Sequence, residues 1–369
     1  MNPSPSPPIL IFTGGHHTGA LEVAKILLSR GIKIIWFGHR HSMWGDRSVS
    51  AEFTEVSISG VRFIDLRAGK FYRTFHPLKL IRIPWGFFQS VFYLFKLKLL
   101  YRARLKGIVS FGGYLAVPVT ICGYLLGLPI IAHEQTMVSG MANRLIARLA
   151  KKIAVSWSSG VREFPSRKSV FTGSLIRPQI ITAARNPSFP VGKPVIYVTG
   201  GKQGSHQLNV SLFGALPELL KKYTVVHQTG ASTIYRDYSQ AFNFRSSLPV
   251  PLRDSYIPID YLPADQVAAN LAKALVVVSR SGAHITAELA YLSTRSVVIP
   301  LPRSSHHEQE INARYLVSHR LAILLPQSQL TPASLVSAID KASKLQPKNI
   351  DLPHNGVDNL VKLISTELL

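Results

Sequence analysis

Two glycine-rich turns, one in each half of the chain, constrain its fold more than any other feature. They are Thr13-Gly14-Gly15-His16-His17 and Thr199-Gly200-Gly201-Lys202-Gln203-Gly204. Each follows a short apolar run, Ile9-Leu10-Ile11-Phe12 or Val195-Ile196-Tyr197-Val198, and precedes a stretch with helical spacing. Glycine at such a turn lets the backbone approach a ligand closely, and the helix that follows offers unpaired N–H groups and the positive end of its dipole. One turn of this kind says little. A matched pair points to two α/β domains.

Strand-like and helix-like segments alternate almost throughout, which predicts parallel sheets covered by helices. In the first half, strands are expected at 8–12, 33–37, 61–66, 107–111, 129–133 and 152–157. The helix between the first two shows Leu21, Ala24, Leu27 and Leu28 on one face, Thr18 as a candidate cap and Gly31 as its stop. In the second half, strands are expected at 195–199, 223–228, 255–259, 275–279, 296–301 and 321–325. Helices fit at 206–221, 265–273, 284–292, 308–318, 332–344 and 356–368. A chain of 369 residues suits two domains. The boundary is placed within 173–193, where Pro178, Pro187, Pro190 and Pro194 argue against any regular element.

Charge narrows the partners. Lys and Arg number 42 against 19 Asp and Glu, a net charge of +23. Such an excess suits a polyanionic partner, either an anionic membrane surface or nucleic acid; a generally basic host proteome is the alternative. Cys122 is the only cysteine, so no internal disulfide can form and a reducing cytoplasm is expected. The first eight residues carry no secretory pattern, and no run reaches the ~18 apolar residues of a membrane span.

Further motifs follow in order: Gly112-Gly113-Tyr114, His133-Glu134-Gln135-Thr136, Gly173 with Arg177, Asn209, and His227-Gln228-Thr229-Gly230. The last are Arg280-Ser281-Gly282-Ala283 with Glu288, then Gln309 and Asn312. In this order the series resembles the MurG family of glycosyltransferases over nearly the whole chain. The resemblance implies a GT-B fold, two Rossmann-like α/β domains with parallel sheets facing across a cleft. It implies an N-terminal domain over 1–177, joined by the last helix at 354–369, and a C-terminal domain over 178–353. It also implies inverting, metal-independent transfer of GlcNAc from UDP-GlcNAc to the MurNAc 4-hydroxyl of undecaprenyl-linked lipid I, with no cofactor, at the cytoplasmic face of a bacterial plasma membrane.

An inverting transfer needs a base at the attacking hydroxyl and stabilisation of the departing UDP. His16 sits where its turn would aim it at substrate, and an imidazole with an ordinary pKa near 6.5 suits the task. The family's matching histidine has that role; holding the loop by a backbone hydrogen bond is the alternative. His17 reads as exposed or structural. The resemblance gives Thr13, Gly14, Gly15, Gln135 and Thr136 to the acceptor side. No DxD or His/Cys cluster offers metal ligands. Backbone N–H groups of Gly201, Lys202, Gln203 and Gly204, those at the helix opened by Arg280, Ser281, Gly282 and Ala283, and the charge of Arg177 are expected to hold the diphosphate. Glu288 is expected to accept the ribose hydroxyls. Gln309 and Asn312, three apart, share one helix face; the resemblance gives this region to the donor sugar, a packing or capping role being the alternative, above all for Asn312. Several positions depart from the family pattern: Thr136 stands for an asparagine, Lys202 for a serine, Gly19 for a proline, and Glu308 for Gln or His.

Between 76 and 106 the composition changes. Leu80, Ile81, Ile83, Trp85, Phe87, Phe88, Val91, Phe92, Tyr93, Leu94 and Phe95 mix with Lys79, Arg82, Lys96, Lys98, Arg102, Arg104 and Lys106, without an acidic residue. Aromatic groups bounded by cations describe an interfacial surface, the alternative being a core helix with basic ends. No nucleic-acid-binding module is recognisable, so none is expected as partner. A transferase using another lipid-linked acceptor, and an idle basic binding protein that keeps the fold, are the competing functional readings.

Overall fold

The computed structural model describes residues 6–41, 49–69, 82–185, 192–302, 304–348 and 350–369. It divides into two compact units, Met1–Leu175 with Pro353–Leu369, and Ile176–Leu352.

The first unit holds a seven-stranded parallel sheet, β1(Ile9–Thr13), β2(Lys33–Gly38), β3(Arg62–Asp65), β4(Leu105–Ser110), β5(Ile130–Glu134), β6(Lys152–Val155) and β7(Ser169–Phe171). Their order across the sheet is β3-β2-β1-β4-β5-β6-β7. Its helices are α1(His17–Ser29), α2(Ala51–Ile58), α3(Arg82–Tyr101), α4(Ala116–Leu125) and α5(Met141–Leu149). All of β1 is buried because both sheet faces are covered, which is why the strand reads as an unbroken apolar run. Ile9 and Ile11 pack on the face shared with Leu94, Leu97 and Val119; Leu10 and Phe12 pack on the other, against Ala20, Ala24 and Leu27 of α1.

In the second unit, β8(Val195–Thr199), β9(Thr224–Gln228), β10(Tyr256–Ile259), β11(Val276–Ser279), β12(Ser296–Val298) and β13(Ala322–Leu324) form a parallel sheet ordered β10-β9-β8-β11-β12-β13. Its helices are α6(Pro178–Arg185), α7(His206–Lys222), α8(Asp237–Ser247), α9(Val250–Arg253), α10(Ala264–Lys273), α11(Ala283–Leu292), α12(Glu308–Ser318) and α13(Pro332–Ser343). The last helix, α14(Gly356–Leu368), belongs to the first unit, where Leu360, Val361 and Ile364 join the core beside α1.

Every expected strand forms, most with ends shifted by a residue or two. Several details differ from expectation. Thr18 does not cap α1, which already begins at His17 with His16 as its flanking residue. The segment expected to be irregular carries α6, because Pro178 stands at its first position, where a missing N–H costs nothing. Strand β7 and helices α8 and α9 were not anticipated: β7 is three residues long, α9 four, and α8 has almost no apolar periodicity. Pro187 and Pro190, with Lys79, Leu80 and Ile81, lie outside the described residues.

Candidate active site

Each sheet reverses its strand order once, at β1/β4 and at β8/β11. In doubly wound sheets ligands bind outside the carboxyl ends of the strands at such a point. Both glycine turns lie there, the first after β1 and the second after β8.

In the first unit, Thr13 ends β1 fully buried, and its hydroxyl has no hydrogen-bond partner. Gly14, at φ +136°, presses on the turn after β4 so closely that a Cβ would lie 2.6 Å from the Phe111 carbonyl carbon. The Gly15 N–H donates to the Gly112 carbonyl at 3.0 Å, tying the two turns together. His16 follows, half-buried. Poor solvation pushes its imidazole down to about 4, and the neighbouring His17 adds to the effect. His17 itself faces Glu55, with Nε2 3.5 Å from Oε2.

One strand further, His133 is wholly buried against the Phe111 ring, with centroids 5.7 Å apart. Burial holds its imidazole near 3, with a smaller contribution from His16, so it stays neutral. Glu134 beside it is buried, which raises its pKa against the opposing pull of hydrogen bonds from Thr136 and Asn143. Thr136 is spent here: its N–H donates to Glu134 Oε1 at 2.9 Å, and its hydroxyl lies 2.6 Å from that oxygen. Gln135 accepts from the Ser156 hydroxyl at 3.2 Å, while its Nε2 is buried without a partner. Asn143, which the motif reading missed, donates to Glu134 Oε2 at 2.8 Å. No local pattern around Asn143 announces that long-range contact.

In the second unit, Gly201, Lys202, Gln203 and Gly204 form the turn between β8 and α7. Two of its N–H groups are already used, Gly201 donating to the Thr199 hydroxyl and Gly204 to the Gly201 carbonyl, both at 3.0 Å. Beside it, Arg280 leaves β11 and donates to the Ile299 carbonyl at 3.0 Å and the Ser205 hydroxyl at 2.7 Å. Burial lowers its pKa to about 10, which leaves the guanidinium charged. Ser281 is buried; its hydroxyl donates to the Gln309 carbonyl, and its own carbonyl accepts from Asn312 Nδ2 at 2.9 Å. Gly282 flanks α11, whose first residue is Ala283. Asn312 is thus a buried brace of this turn. Gln309 Oε1 accepts from the Leu301 N–H at 3.0 Å.

Arg177 and Glu288, 111 residues apart, form a two-pronged ion pair, Nε to Oε1 at 2.6 Å and Nη2 to Oε2 at 2.8 Å. Both are buried. Near enough to feel both charges, Tyr197, from the middle of β8, donates to Gln228 Oε1 at 2.5 Å. Each unit therefore gathers its own predicted residues around its own switch point.

Residues 11–155 match the glycosyltransferase family 28 N-terminal domain, and residues 195–364 match the family's C-terminal domain. A UDP-N-acetylglucosamine--N-acetylmuramyl-(pentapeptide) pyrophosphoryl-undecaprenol N-acetylglucosamine transferase of Nitrosomonas europaea is 30% identical over 349 residues, which span 90% of this chain and 89% of the relative. The chain belongs to glycosyltransferase family 28. A family member of the same name from Ralstonia nicotianae is 31% identical over 341 residues, spanning 90% of this chain and 87% of its own. Among solved structures, Acinetobacter baumannii MurG matches with a TM-score of 0.61 at 22% identity, covering 98% of this chain and all of that one. A UDP-GlcNAc 2-epimerase from Neisseria meningitidis matches at 0.60 and 11% identity, with 98% and 100% covered. The fold is GT-B, shared by proteins with different chemistry, so function rests on the site.

Proposed function

We propose that this enzyme transfers GlcNAc from UDP-GlcNAc, with inversion and without a metal, to the MurNAc 4-hydroxyl of undecaprenyl-linked lipid I, giving lipid II. One observation carries the reading: the motif residues gather at both switch points of a chain that matches, over nine-tenths of its length, a transferase named for this activity. The second unit would hold the donor. Arg280 and the amides at the openings of α7 and α11 face the diphosphate, and Glu288 takes the ribose hydroxyls once it leaves Arg177, whose released guanidinium adds to the diphosphate grip. The first unit would hold the acceptor, with the turn at Thr13–Gly15 and Gln135 nearest the sugar.

His16 takes the hydroxyl proton as the oxygen attacks the anomeric carbon and the C–O bond to UDP breaks. A neutral imidazole can accept at any working pH. Burial disfavours its cationic form, but an adjacent anionic diphosphate would favour it. Thr136, which stands where the family has asparagine, braces Glu134 and so shapes the acceptor side indirectly.

The reading extends to peripheral attachment at the cytoplasmic face of a bacterial plasma membrane. Helix α3 turns Gly86, Ser90, Leu94 and Leu97 inward and leaves Trp85, Phe88, Phe92, Phe95 and Leu99 between 49% and 65% exposed. The exposed set recurs every three or four residues, so it makes one apolar stripe. Lys96 and Lys98 flank it, and Tyr124 and Leu125 lie where the Lys98 ammonium donates to the Leu126 carbonyl. No helix among the described residues is long and apolar enough to cross a membrane.

The deciding assay offers UDP-GlcNAc with lipid I, or with diacylglycerol, in detergent micelles. Release of UDP that depends on lipid I is expected. Turnover with diacylglycerol alone would favour the other acceptor, and no UDP-GlcNAc binding at all would reduce the protein to an idle binder.

A further inference from the structure

Behind the second glycine turn runs a line of buried polar side chains that transfer chemistry does not use. Tyr256 Oη lies 2.9 Å from His227 Nδ1, and His227 Nε2 lies 3.0 Å from Asn209 Oδ1. Asn209 Nδ2 donates to the Thr229 carbonyl at 2.9 Å and to Asp237 Oδ2 at 2.8 Å. Asp237 Oδ1 then accepts from His206 Nδ1 at 2.8 Å. Tyr256, His227 and Asn209 are fully buried and Asp237 nearly so.

Donor and acceptor chemistry orients the line. Asn209 spends its amide hydrogens on two acceptors, so its oxygen must meet an N–H, and His227 carries its proton on Nε2. His227 Nδ1 therefore accepts the Tyr256 hydroxyl. A carboxylate only accepts, so the proton between Asp237 and His206 sits on His206 Nδ1. Every buried member is satisfied, the condition under which a buried polar network rigidifies its surroundings.

What the network touches is the turn itself. The Thr229 carbonyl that Asn209 fixes lies so close to Gly204 that a Cβ there would fall 2.0 Å from its oxygen. The Ala231 N–H donates to the Lys202 carbonyl at 2.9 Å. At the far end His206, first residue of α7, is tethered to Asp237 and stacked on Tyr235, with rings 3.9 Å apart and 9° from parallel. The turn is thus seated on 229–231 and pinned where it enters α7.

We propose that Asp237 and His206 are positioning residues that hold the 200–204 turn in the shape needed for a nucleoside diphosphate. The proposal rests on the donor reading given for this unit, and it adds two residues that lie outside the glycine turn and the Arg280–Glu288 motif. Asp237→Asn replaces one accepting oxygen by an amide that must face a donor, so one tether is lost and the turn relaxes.

The test measures UDP and uridine binding by calorimetry for wild type, Asp237→Asn, His206→Phe and the double variant, with thermal melts alongside. His206→Phe keeps a ring against Tyr235 at a partly exposed site and covers the case in which Asp237→Asn fails to fold. The expected result is UDP binding about ten-fold weaker in each single variant, roughly the worth of one such hydrogen bond. Uridine binding should stay within about two-fold, and the double variant should be little worse than either single. Folded variants that bind UDP as wild type does, or that lose uridine and UDP alike, overturn the proposal. Wild type that binds no UDP would instead sink the donor reading beneath it.

Discussion

At the scale of single residues, His16 and the Arg177–Glu288 pair make the sharpest claims. If His16 is the base, its pKa of about 4 means that the base-competent neutral form persists as pH falls. The acid limb of kcat/KM should then fall near pH 4–5 rather than about 6.5, since that profile reports the free enzyme. A limb centred on the ordinary histidine value, or near-wild-type turnover in His16→Ala, would remove it from the role. Glu288→Ala should cost stability as well as UDP affinity, on the order of 3 kcal/mol, because it strands a buried guanidinium. Denaturant melts would show this, and Arg177→Met with Glu288→Leu should regain most of the stability while UDP binding stays lost. Sequence reading located both residues by motif but could not foresee that they pair with each other. Their 111-residue separation is closed only by the fold. For Asn312 the sequence left a sugar contact and a packing role both open, and only the fold reveals its bond to the Ser281 carbonyl.

Among the elements, α3 has the most to say about where the enzyme works. Its inward face is small or aliphatic, and its outward stripe is aromatic, with Trp85 and Phe88 stacked 5.5 Å apart. Replacing Phe88, Phe92 and Phe95 with serine removes exposed rather than core surface, so the fold should stand. Sedimentation with vesicles rich in anionic lipid should drop several-fold, while UDP binding stays at the wild-type level. Unchanged vesicle binding would assign the stripe to another purpose. The apolar and cationic content of this helix was plain from the sequence, but which residues face inward depended on the tertiary packing. Long strands buried on both faces were equally legible. The short β7 and the weakly patterned α8 were not, because neither carries the periodicity that burial on one face imposes.

Across the whole molecule, charge and groups whose titration burial shifts are unevenly shared. The first unit holds 24 Lys and Arg against 9 Asp and Glu, the second 18 against 10, so the larger surplus accompanies the aromatic helix. His227, in the second unit, is held near 3 by burial. Unfolded, it takes up a proton near 6.5, so between those values acid favours the unfolded chain by up to about 1.4 kcal/mol per pH unit. In the first unit His16 and His133 act the same way, but Glu52, raised to about 7 chiefly by burial, and Glu134 act oppositely. They keep protons when folded that the unfolded chain would shed above the ordinary carboxylate value, and so partly offset the histidines. All four tryptophans lie in the first unit. Between pH 7 and 5, a melt followed by circular dichroism should therefore weaken more than one followed by tryptophan fluorescence; equal shifts would contradict this balance.

The discontinuity of the first unit has its own consequence. The start of α14 fits against Gly173 and Ser174 so tightly that a Cβ on Gly356 would lie 2.3 Å from the Ser174 carbonyl oxygen. Asn359 donates to the Thr172 carbonyl at 2.8 Å, and Leu360 and Ile364 seal the side of the sheet that holds Leu10 and Phe12. During synthesis, the residues up to Leu175 must therefore wait with an open flank while some 180 further residues are made before α14 can cover it. The sheet of this unit is sealed by a helix made long after its strands, and any chaperone that meets the chain on the ribosome meets that bare flank.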